Sequence, residues 1–518
     1  MTRAVAKRAA RTAFVASLVG AALALWPRGA RAGGMEYPDN GVEALGRGAA
    51  FAAKADDGTA MMHNVSGFAR QRGWRLTLGA STAFHSAAFQ RAGSYPDDPK
   101  DPLTPWGGER FPVVRSTGRP LPIPHLVLSG DFGLERLTVA AGVYAPSVIT
   151  GRVFPLAVQG RPSPARYDAV QAGGLIMYPT VAAAYRLTDW LDVGLGASLV
   201  VAKLEATSIS SADLAPAICK NQEYQPCDTR QKVETEGSTA AFTLGAMLHP
   251  APWLAIGAQL RTAHTLETEG TVTATAPPVQ PGNIEPGKAF ITQSLPWVAR
   301  GGVRYIGLSG TRQVWDLEVD ATYEAWGSAL GEGTQVYIPK LSTFKDIRST
   351  IRLNFHDTVS VRGGGSYRFG ALGGDLTLRG GAFYDAAATD DKDTRLTFDT
   401  SAKTGVTAGV GLAVGPVRVD LAVAQIFHET REVKGGTVRP INGALGGTNV
   451  SSGGQPYEPV NNGVYAASTF VLAVGLGVQI DALFAKKKPP PPAPAAKPRP
   501  ARDEDDEDEG DDDEPESP

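Results

Sequence analysis

The most restrictive feature of this sequence is an alternation of apolar and polar residues that recurs along the chain. Between residues 315 and 325, every odd position is apolar or aromatic, whereas the even positions carry Asp, Glu and Thr. Residues 470–484 repeat the pattern, with apolar side chains at the even positions. Successive side chains of a β-strand point to opposite faces, so a strand explains this sorting and a helix does not. No apolar stretch between residues 33 and 484 is long enough for a transmembrane helix.

The connections between these segments alternate in length. The links after even-numbered segments are short turns, and the links after odd-numbered segments are long loops. A soluble sandwich would also alternate, but short turns on one side with long loops on the other are typical of outer-membrane barrels. Lipid cannot satisfy the hydrogen bonds of a sheet edge, so such a sheet must close. The sequence therefore predicts an all-β fold, a 14-stranded antiparallel transmembrane β-barrel. The predicted strands are 74–84, 125–132, 136–144, 174–187, 190–204, 238–249, 253–265, 296–306, 314–326, 358–369, 375–385, 404–414, 416–428 and 468–484.

The first 32 residues predict a secretory signal peptide. A basic segment precedes an apolar run from Ala13 to Trp26, and Ala30-Arg31-Ala32 provides a small-residue cleavage site. A short buried helix is the alternative. Export places the protein outside the cytoplasm, where Cys219 and Cys227 are expected to form a local disulfide rather than remain two free thiols.

Residues 485–518 predict a disordered tail. The segment is rich in Pro and Ala and then almost purely acidic, a composition that cannot bury apolar surface. It is interpreted either as a solvated tail or as a tether that binds a periplasmic partner. An even number of strands places both chain termini on the periplasmic side.

Residues 33–73 precede the predicted barrel at 74–484 and lack its alternation. The segment is rich in Gly and Ala, and a segment of this size can plug the lumen of a barrel. We therefore predict an N-terminal hatch, defined here as residues 33–73. The net charge of −3 gives no indication of nucleic-acid binding.

Three short motifs in the hatch carry a family resemblance. Asn40 to Ala49, Ala55-Asp56-Asp57 and Asn64 to Gly67 resemble the N-terminal signature of the FadL/TodX family of outer-membrane transporters. Weaker matches, among them Gly142 to Pro146 and Asn461 to Tyr465, extend the resemblance over about residues 34–484. The hatch positions that it singles out are Gly46, Arg47, Asp56, Asp57 and Asn64.

The resemblance implies that a ligand leaves sideways through a wall opening at a kinked third strand. Pro146 cannot donate to a ladder, so it either kinks this strand or ends it. Val65 departs from the family pattern, which has Pro there, and a looser turn after Asn64 is expected. The tail beyond Phe484 is a second departure, because family barrels usually end at that aromatic residue.

A carboxylate ligand would require a cation beside an apolar channel. Lys203 and Arg261 lie near the outer ends of predicted strands and are the candidates. A lumen salt bridge is the alternative role for any one of these cations. Arg47, with Asp56 or Asp57, is expected to tether the hatch to itself or to the wall.

These features predict a β-barrel in the outer membrane of a Gram-negative bacterium, and the resemblance implies that it is a passive transporter of hydrophobic compounds, with long-chain fatty acids as the expected substrates. An aromatic-hydrocarbon channel and a structural or adhesive barrel are the alternatives. A membrane-embedded hydrolase is a third, although the sequence has no G-x-S-x-G, P-loop or H-E-x-x-H motif. The expected protein is a monomer in contact with outer-membrane lipid, is not an enzyme, and has neither cofactor nor metal.

Overall fold

The computed structural model describes residues 40–118, 120, 122–145, 151–211, 223–330, 333–339, 346–398, 400–440 and 458–484. The chain divides into a compact unit of residues 1–483 and a second unit of residues 484–518, of which only Phe484 is described. The predicted signal peptide and the predicted tail from 485 onwards therefore lie outside the described residues. In the described parts of the chain, no helix is long and apolar enough to span a membrane.

The described residues form 23 strands and a few short helices. The strands are β1 (Arg75–Arg91), β2 (Val113–Arg115), β3 (Pro122–Gly130), β4 (Leu137–Tyr144), β5 (Arg152–Val153), β6 (Ala157–Val158), β7 (Arg161–Pro162), β8 (Gln171–Arg186), β9 (Leu191–Ser211), β10 (Asp228–Ala251), β11 (Leu254–Arg261), β12 (His264–Thr275), β13 (Gly287–Leu295), β14 (Val298–Ser309), β15 (Arg312–Glu324), β16 (Thr334–Ile338), β17 (Ile347–Ile351), β18 (Thr358–Ala371), β19 (Gly374–Asp385), β20 (Lys403–Val414), β21 (Val417–His428), β22 (Arg431–Val433) and β23 (Gly463–Gln479). The α-helices are α1 (Val42–Leu45), α2 (Ala60–His63), α3 (Trp326–Ala329) and α4 (Ile480–Phe484), and the 3-10 helices are Val65–Arg70, Gln225–Cys227 and Asp391–Asp393.

Fourteen antiparallel spans close into one barrel, which confirms the predicted fold. The first strand, β1, pairs with the last, β23, from Arg75↔Gln479 to Arg91↔Gly463. Four spans consist of two successive strands each, namely β11 with β12, β13 with β14, β15 with β16, and β17 with β18. We call the end with the short connections, such as the one between Ala371 and Gly374, the turn end. The opposite end is the loop end.

The outward face of the wall is an apolar belt, as the alternation predicts. In β15, Trp315 and Leu317 are exposed, whereas Asp316 and Glu318 are buried towards the lumen. Toward the loop end the outward residues become polar, which explains why β10 begins at Asp228 although the sequence predicted its strand only from residue 238. The alternation of apolar residues therefore ends before the hydrogen-bonded ladder of β10 ends.

The last strand ends earlier than predicted. The alternation predicted a strand to residue 484, but β23 ends at Gln479 and α4 follows. The neighbouring ladders explain this difference, because Gln479 pairs with Arg75, the first residue of β1, and β21 offers no partner beyond Val417↔Val478. Without a partner on either side, the strand cannot continue.

The described part of the hatch, residues 40–73, fills the lumen. It consists of α1, α2 and the 3-10 helix Val65–Arg70, linked by tight turns. Almost every side chain of residues 40–69 is buried. Because its apolar residues pack on strands of the wall, the lumen is a packed core rather than an open pore.

Candidate functional site

The wall strand β15 presents three buried carboxylates to the hatch. Asp316, Glu318 and Asp320 alternate with the outward apolar residues and therefore point into the lumen. Asp320 Oδ2 accepts hydrogen bonds from the backbone N–H groups of Phe51 (2.7 Å) and Ala52 (2.8 Å). A side chain of β15 thus binds the backbone of the hatch.

Arg47 completes this contact with its side chain. Its guanidinium binds Asp316 Oδ1 at 2.5 Å and Glu318 Oε2 at 2.9 Å, and all three side chains are fully buried. The tether to the wall was predicted, but its partners were not. Asp56 contacts Lys54 instead, and Asp57 accepts hydrogen bonds from Thr59. Gly58, directly after the two aspartates, lies against Thr77 of β1 and Val127 of β3, so this turn packs on wall strands other than β15, which Arg47 contacts.

A second group of ionic contacts joins the hatch to β19 and β21. Glu43 of α1 accepts a hydrogen bond from Arg418, and its carboxylate also lies 3.1 Å from Lys54 Nζ and 3.4 Å from Arg379 Nε. Burial alone would raise the pKa of Glu43, but the charges of Arg418, Lys54 and Arg379 hold this pKa well below its usual range. Glu43 therefore remains ionised and paired.

Asp57 differs from Glu43. Burial, together with the nearby charge of Glu43, raises the pKa of Asp57 to about 6. The hydrogen bonds from Thr59 oppose this shift without cancelling it. Asp57 therefore gains a proton in mildly acidic solution.

Glycines allow the hatch backbone to lie directly on the wall. A Cβ atom added at Gly364 would lie 2.0 Å from the carbonyl oxygen of Arg47, and one at Gly381 would lie 2.3 Å from its carbonyl carbon. Gly46, a predicted motif residue, approaches Gly409 in the same way, at 3.0 Å. The lack of side chains on both surfaces is therefore what permits this approach.

The predicted motif residue Asn64 begins the 3-10 helix of the hatch. Its Oδ1 accepts a hydrogen bond from Ser66 N, and its Nδ2 donates to the carbonyl oxygen of Ala52 at 2.9 Å. The looser turn expected from Val65 is not observed. Val65 is fully buried, and its N–H group, which proline would lack, donates to Gln259 Oε1 at 3.0 Å. Valine in place of the family's proline therefore adds a hydrogen bond between the hatch and the wall.

The two candidate ligand cations face opposite sides of the wall. Lys203 shares the phase of Leu199, and both are exposed on the outer face of β9, so Lys203 does not line the lumen. Arg261 is buried in the lumen, and its guanidinium lies 5.5 Å from the ring centroid of Tyr178. The Tyr178 hydroxyl is hydrogen-bonded to His264 Nε2 at 3.1 Å.

The side of the lumen that contains Tyr178 is apolar. Hatch residues such as Met61, Met62 and Phe68 pack there against wall residues that include Ile176 and Leu266. Ion pairs join the hatch to β15, β19 and β21, and one more, Arg70–Asp192, joins it to β9 near the turn end. A smaller apolar cluster around Val42 and Leu45 lies on β19, β21 and β23, and the larger cluster faces β3 to β12. We call the β3–β12 side the apolar half of the lumen.

A small cavity lies between the hatch and the wall strands β3 and β4. Its lining includes Met61, Met62, Val127 and Tyr144. The β3–β4 ladder beside it runs only from Leu126↔Val143 to Gly130↔Val139, the shortest contact between neighbouring spans in the described barrel. Pro146, the predicted kink or end of this strand, lies outside the described residues.

Only one cysteine of the predicted disulfide lies among the described residues. Cys227 is buried beside Tyr224, whereas Cys219 lies outside the described residues, so the pairing stays a prediction.

Sequence reasoning missed several hatch contacts. Glu43 lies inside the motif Asn40 to Ala49. An acidic residue between apolar neighbours is a signal that could have indicated a buried ion pair. Gln259 and Gly381 give no such signal, because their hatch partners are far away in the sequence.

The chain is similar to known outer-membrane transport proteins in sequence pattern and in structure. A family model described as outer membrane protein transport protein (OMPP1/FadL/TodX) matches residues 23–454. A FadL homologue of Pseudomonas aeruginosa is similar in structure, with a TM-score of 0.67 and 14% sequence identity over 86% of this chain and 100% of that one. The toluene transporter TodX of Pseudomonas putida has a TM-score of 0.61 and 14% sequence identity over 86% of this chain and 99% of that one. The toluene transporter TbuX of Ralstonia pickettii has a TM-score of 0.59 and 16% sequence identity over 85% of this chain and 98% of that one. No curated protein sequence matches the chain.

Proposed function

Because the chain belongs to the outer membrane protein transport protein family (OMPP1/FadL/TodX), whose members move hydrophobic compounds across the outer membrane, we propose that its substrates are long-chain fatty acids. They cross by passive diffusion along the apolar half of the lumen. The observation that carries this proposal is the large apolar cluster between the hatch and the wall strands β3 to β12, to which the ion pairs of Arg47 and Glu43 with β15, β19 and β21 do not belong.

Arg261 is the cation that we assign to the carboxylate. It is the predicted candidate that faces the lumen, and it lies beside the aromatic side chains Tyr178 and Tyr144, which stack with ring centroids 5.4 Å apart. An acyl chain can pack on these rings while its carboxylate meets the guanidinium. Lys203, on the outer face, has no part in this assignment.

The exit that we propose is lateral, between β3 and β4. Their ladder joins only five residue pairs, Leu126↔Val143 to Gly130↔Val139, whereas the β9–β10 ladder extends from Leu191↔Leu248 to Ser211↔Asp228. The small cavity between the hatch and the wall adjoins the short ladder. A short ladder opens at lower cost, because fewer backbone hydrogen bonds are lost.

Uptake of an aromatic hydrocarbon is the second candidate, since two solved relatives are described as toluene transporters. A neutral hydrocarbon would not need Arg261. We also propose that the protein is a monomer with both termini in the periplasm, and that the acidic tail binds a periplasmic partner.

Uptake of labelled oleate and labelled toluene tests the proposal in cells that lack their own transporters of this family. We expect oleate uptake, and we expect Arg261→Gln to reduce it. Arg312→Gln is the matched control, because Arg312 pairs with Asp375 at the exposed turn end. Toluene uptake without oleate uptake would move the assignment to hydrocarbons, and uptake of neither would refute it.

A disulfide across the short ladder tests the exit. Oxidation of a Leu126→Cys/Val143→Cys variant should block uptake, and reduction should restore it. Leu199→Cys/Ala240→Cys links the long β9–β10 ladder and should leave uptake unchanged. Equal uptake by the oxidised and reduced forms of the first variant would exclude this exit.

A further inference from the structure

Two arginines stand side by side at the turn end of the barrel. Arg136 directly precedes β4, and Arg186 is the last residue of β8. The backbone N–H of Arg186 donates to the carbonyl oxygen of Arg136 at 2.8 Å, so the two residues lie opposite each other on neighbouring strands. Among the described residues, neither guanidinium donates to an acceptor, the carboxylate of the neighbouring Glu135 included, and Arg186 Nε is buried. Like charges directly opposite each other destabilise a sheet, so an anion bound between them would be stabilising.

The end of the hatch adds two further cations. The charges of Arg70 and Arg72 act on Arg186 more strongly than those of other residues, and the opposing charges of two aspartates are weaker there. Of these aspartates, Asp192 already binds Arg70, at 2.6 Å. Asp189 accepts from Arg70 through its backbone carbonyl oxygen, at 2.7 Å. Four arginines therefore face two aspartates, so this place attracts anions.

The same end of the hatch fastens β3 to β4. Gln71, which lies between the two hatch arginines, accepts a hydrogen bond from Ser129 of β3 at its Oε1, at 3.2 Å. Its backbone carbonyl oxygen accepts one from Thr138 of β4, also at 3.2 Å. An anion among the arginines would reduce the repulsion between this end of the hatch and the wall. Anion binding is therefore coupled to the attachment of the hatch beside the β3–β4 ladder.

The outer surface next to the arginines is apolar. Tyr185 of β8 is exposed, and so are Leu134 and Leu187 in the adjoining turns. Because neighbours in a strand point to opposite faces, Tyr185 faces the lipid where Arg186 faces the mouth of the barrel. A guanidinium at the end of a strand reaches the headgroup region while apolar and aromatic neighbours contact acyl chains. An anionic phospholipid combines the two chemistries that this surface offers.

We propose that these four arginines, which we call the turn-end arginine site, bind the phosphodiester group of an anionic phospholipid. Arg136 and Arg186 donate to the phosphate oxygens, because a guanidinium fork matches two oxygens of one phosphate. Arg70 and Arg72 contribute further positive charge. A zwitterionic headgroup brings its own cation to the site and is disfavoured. The inference rests on the proposed orientation in one respect, namely that the periplasmic leaflet supplies the lipid.

Calorimetric titration of the full chain in detergent tests this site, with protein-free detergent as the blank. The probes are dioctanoyl phosphatidylglycerol, dioctanoyl phosphatidylcholine and inorganic phosphate. We expect phosphatidylglycerol to bind at least tenfold more tightly than the other two. Arg136→Gln/Arg186→Gln should weaken phosphatidylglycerol about tenfold or more. Arg312→Gln is the matched control, because Arg312 also lies at the turn end but pairs with Asp375, and it should leave this affinity unchanged.

Thermal unfolding gives a second readout. Removal of two opposed like charges keeps the double variant folded, and phosphatidylglycerol should raise the Tm of the unaltered protein but not that of the variant. Equal affinities for the two lipids, or unchanged phosphatidylglycerol binding by the double variant, would overturn the proposal. Binding of inorganic phosphate as tight as that of phosphatidylglycerol would replace the lipid by a free anion and also overturn it. Failure of the proposed function is separate, since it appears as absent oleate uptake in cells while this binding persists.

Discussion

Replacement of Asp320 by alanine should release the hatch from the wall. Asp320 Oδ2 is the acceptor for the N–H groups of Phe51 and Ala52, at 2.7 and 2.8 Å. Both hatch residues are almost completely buried, so water cannot replace the lost acceptor. A buried donor without a partner costs about 1–3 kcal/mol, and two donors therefore cost about 2–6 kcal/mol.

This loss is large enough to measure as conductance. Even about 2 kcal/mol raises the population with a displaced hatch about 30-fold, since about 1.4 kcal/mol corresponds to tenfold. A displaced hatch leaves an aqueous path through the lumen. Single-channel recordings in planar bilayers should therefore show frequent ion-conducting openings for Asp320→Ala and rare ones for the unaltered protein.

Asp385→Ala is the matched control for this experiment. Asp385 is also a buried lumen carboxylate, but its partner is Arg362 of the wall, at 3.2 Å, and not the hatch. Its removal should leave the conductance low. Asp320→Asn, which keeps an acceptor oxygen, should lie between the two. A closed Asp320→Ala channel, or equal openings in both alanine variants, would refute the reasoning.

Three further predictions concern the hatch. Gly381→Val should increase conductance, because its Cβ would lie 2.3 Å from Arg47, whereas Gly380→Val, with nothing within 4 Å, should not. Arg47→Met should lower the free energy of unfolding by about 3–5 kcal/mol in denaturant titrations, because Glu318 loses its cation, and Arg47→Lys should recover part of the loss. The raised pKa of Asp57, about 6, means that its ionised form destabilises the folded state, so stability should fall as the pH rises from about 4 to 7. Asp57→Asn should show a flatter dependence of melting temperature on pH over this interval, and an identical slope would contradict the assignment.

The wall was predictable from the sequence because its signal is local. The alternation at 315–325 shows which side chains face lipid and which face the lumen, and the structure agrees. The same alternation places Lys203, two residues after Val201 and four after Leu199, on the outer face of β9. Its height near the end of the strand, which made it a candidate for the ligand carboxylate, does not determine which face it occupies.

The hatch contacts were less predictable because they join distant parts of the chain. Arg47 and Asp316 are separated by 269 residues, and nothing near Arg47 in the sequence distinguishes Asp316 from Asp56 as its partner. The wall glycines are a similar case. A glycine in a strand is common, and only the approach of the Arg47 carbonyl group shows why Gly364 and Gly381 have no side chain.

The ionic contacts of the hatch also constrain the order of assembly. Glu43 meets Arg418 across 375 residues of sequence, so most of the wall must be synthesised before the hatch can find its partners. The hatch is too closely fitted to enter a lumen that has already closed. The β1–β23 ladder, which joins the two ends of the sheet, is therefore the step that we expect to form last, and a slow, late step is characteristic of contacts between residues far apart in sequence. Insertion into the membrane and enclosure of the hatch would then be completed by the same event.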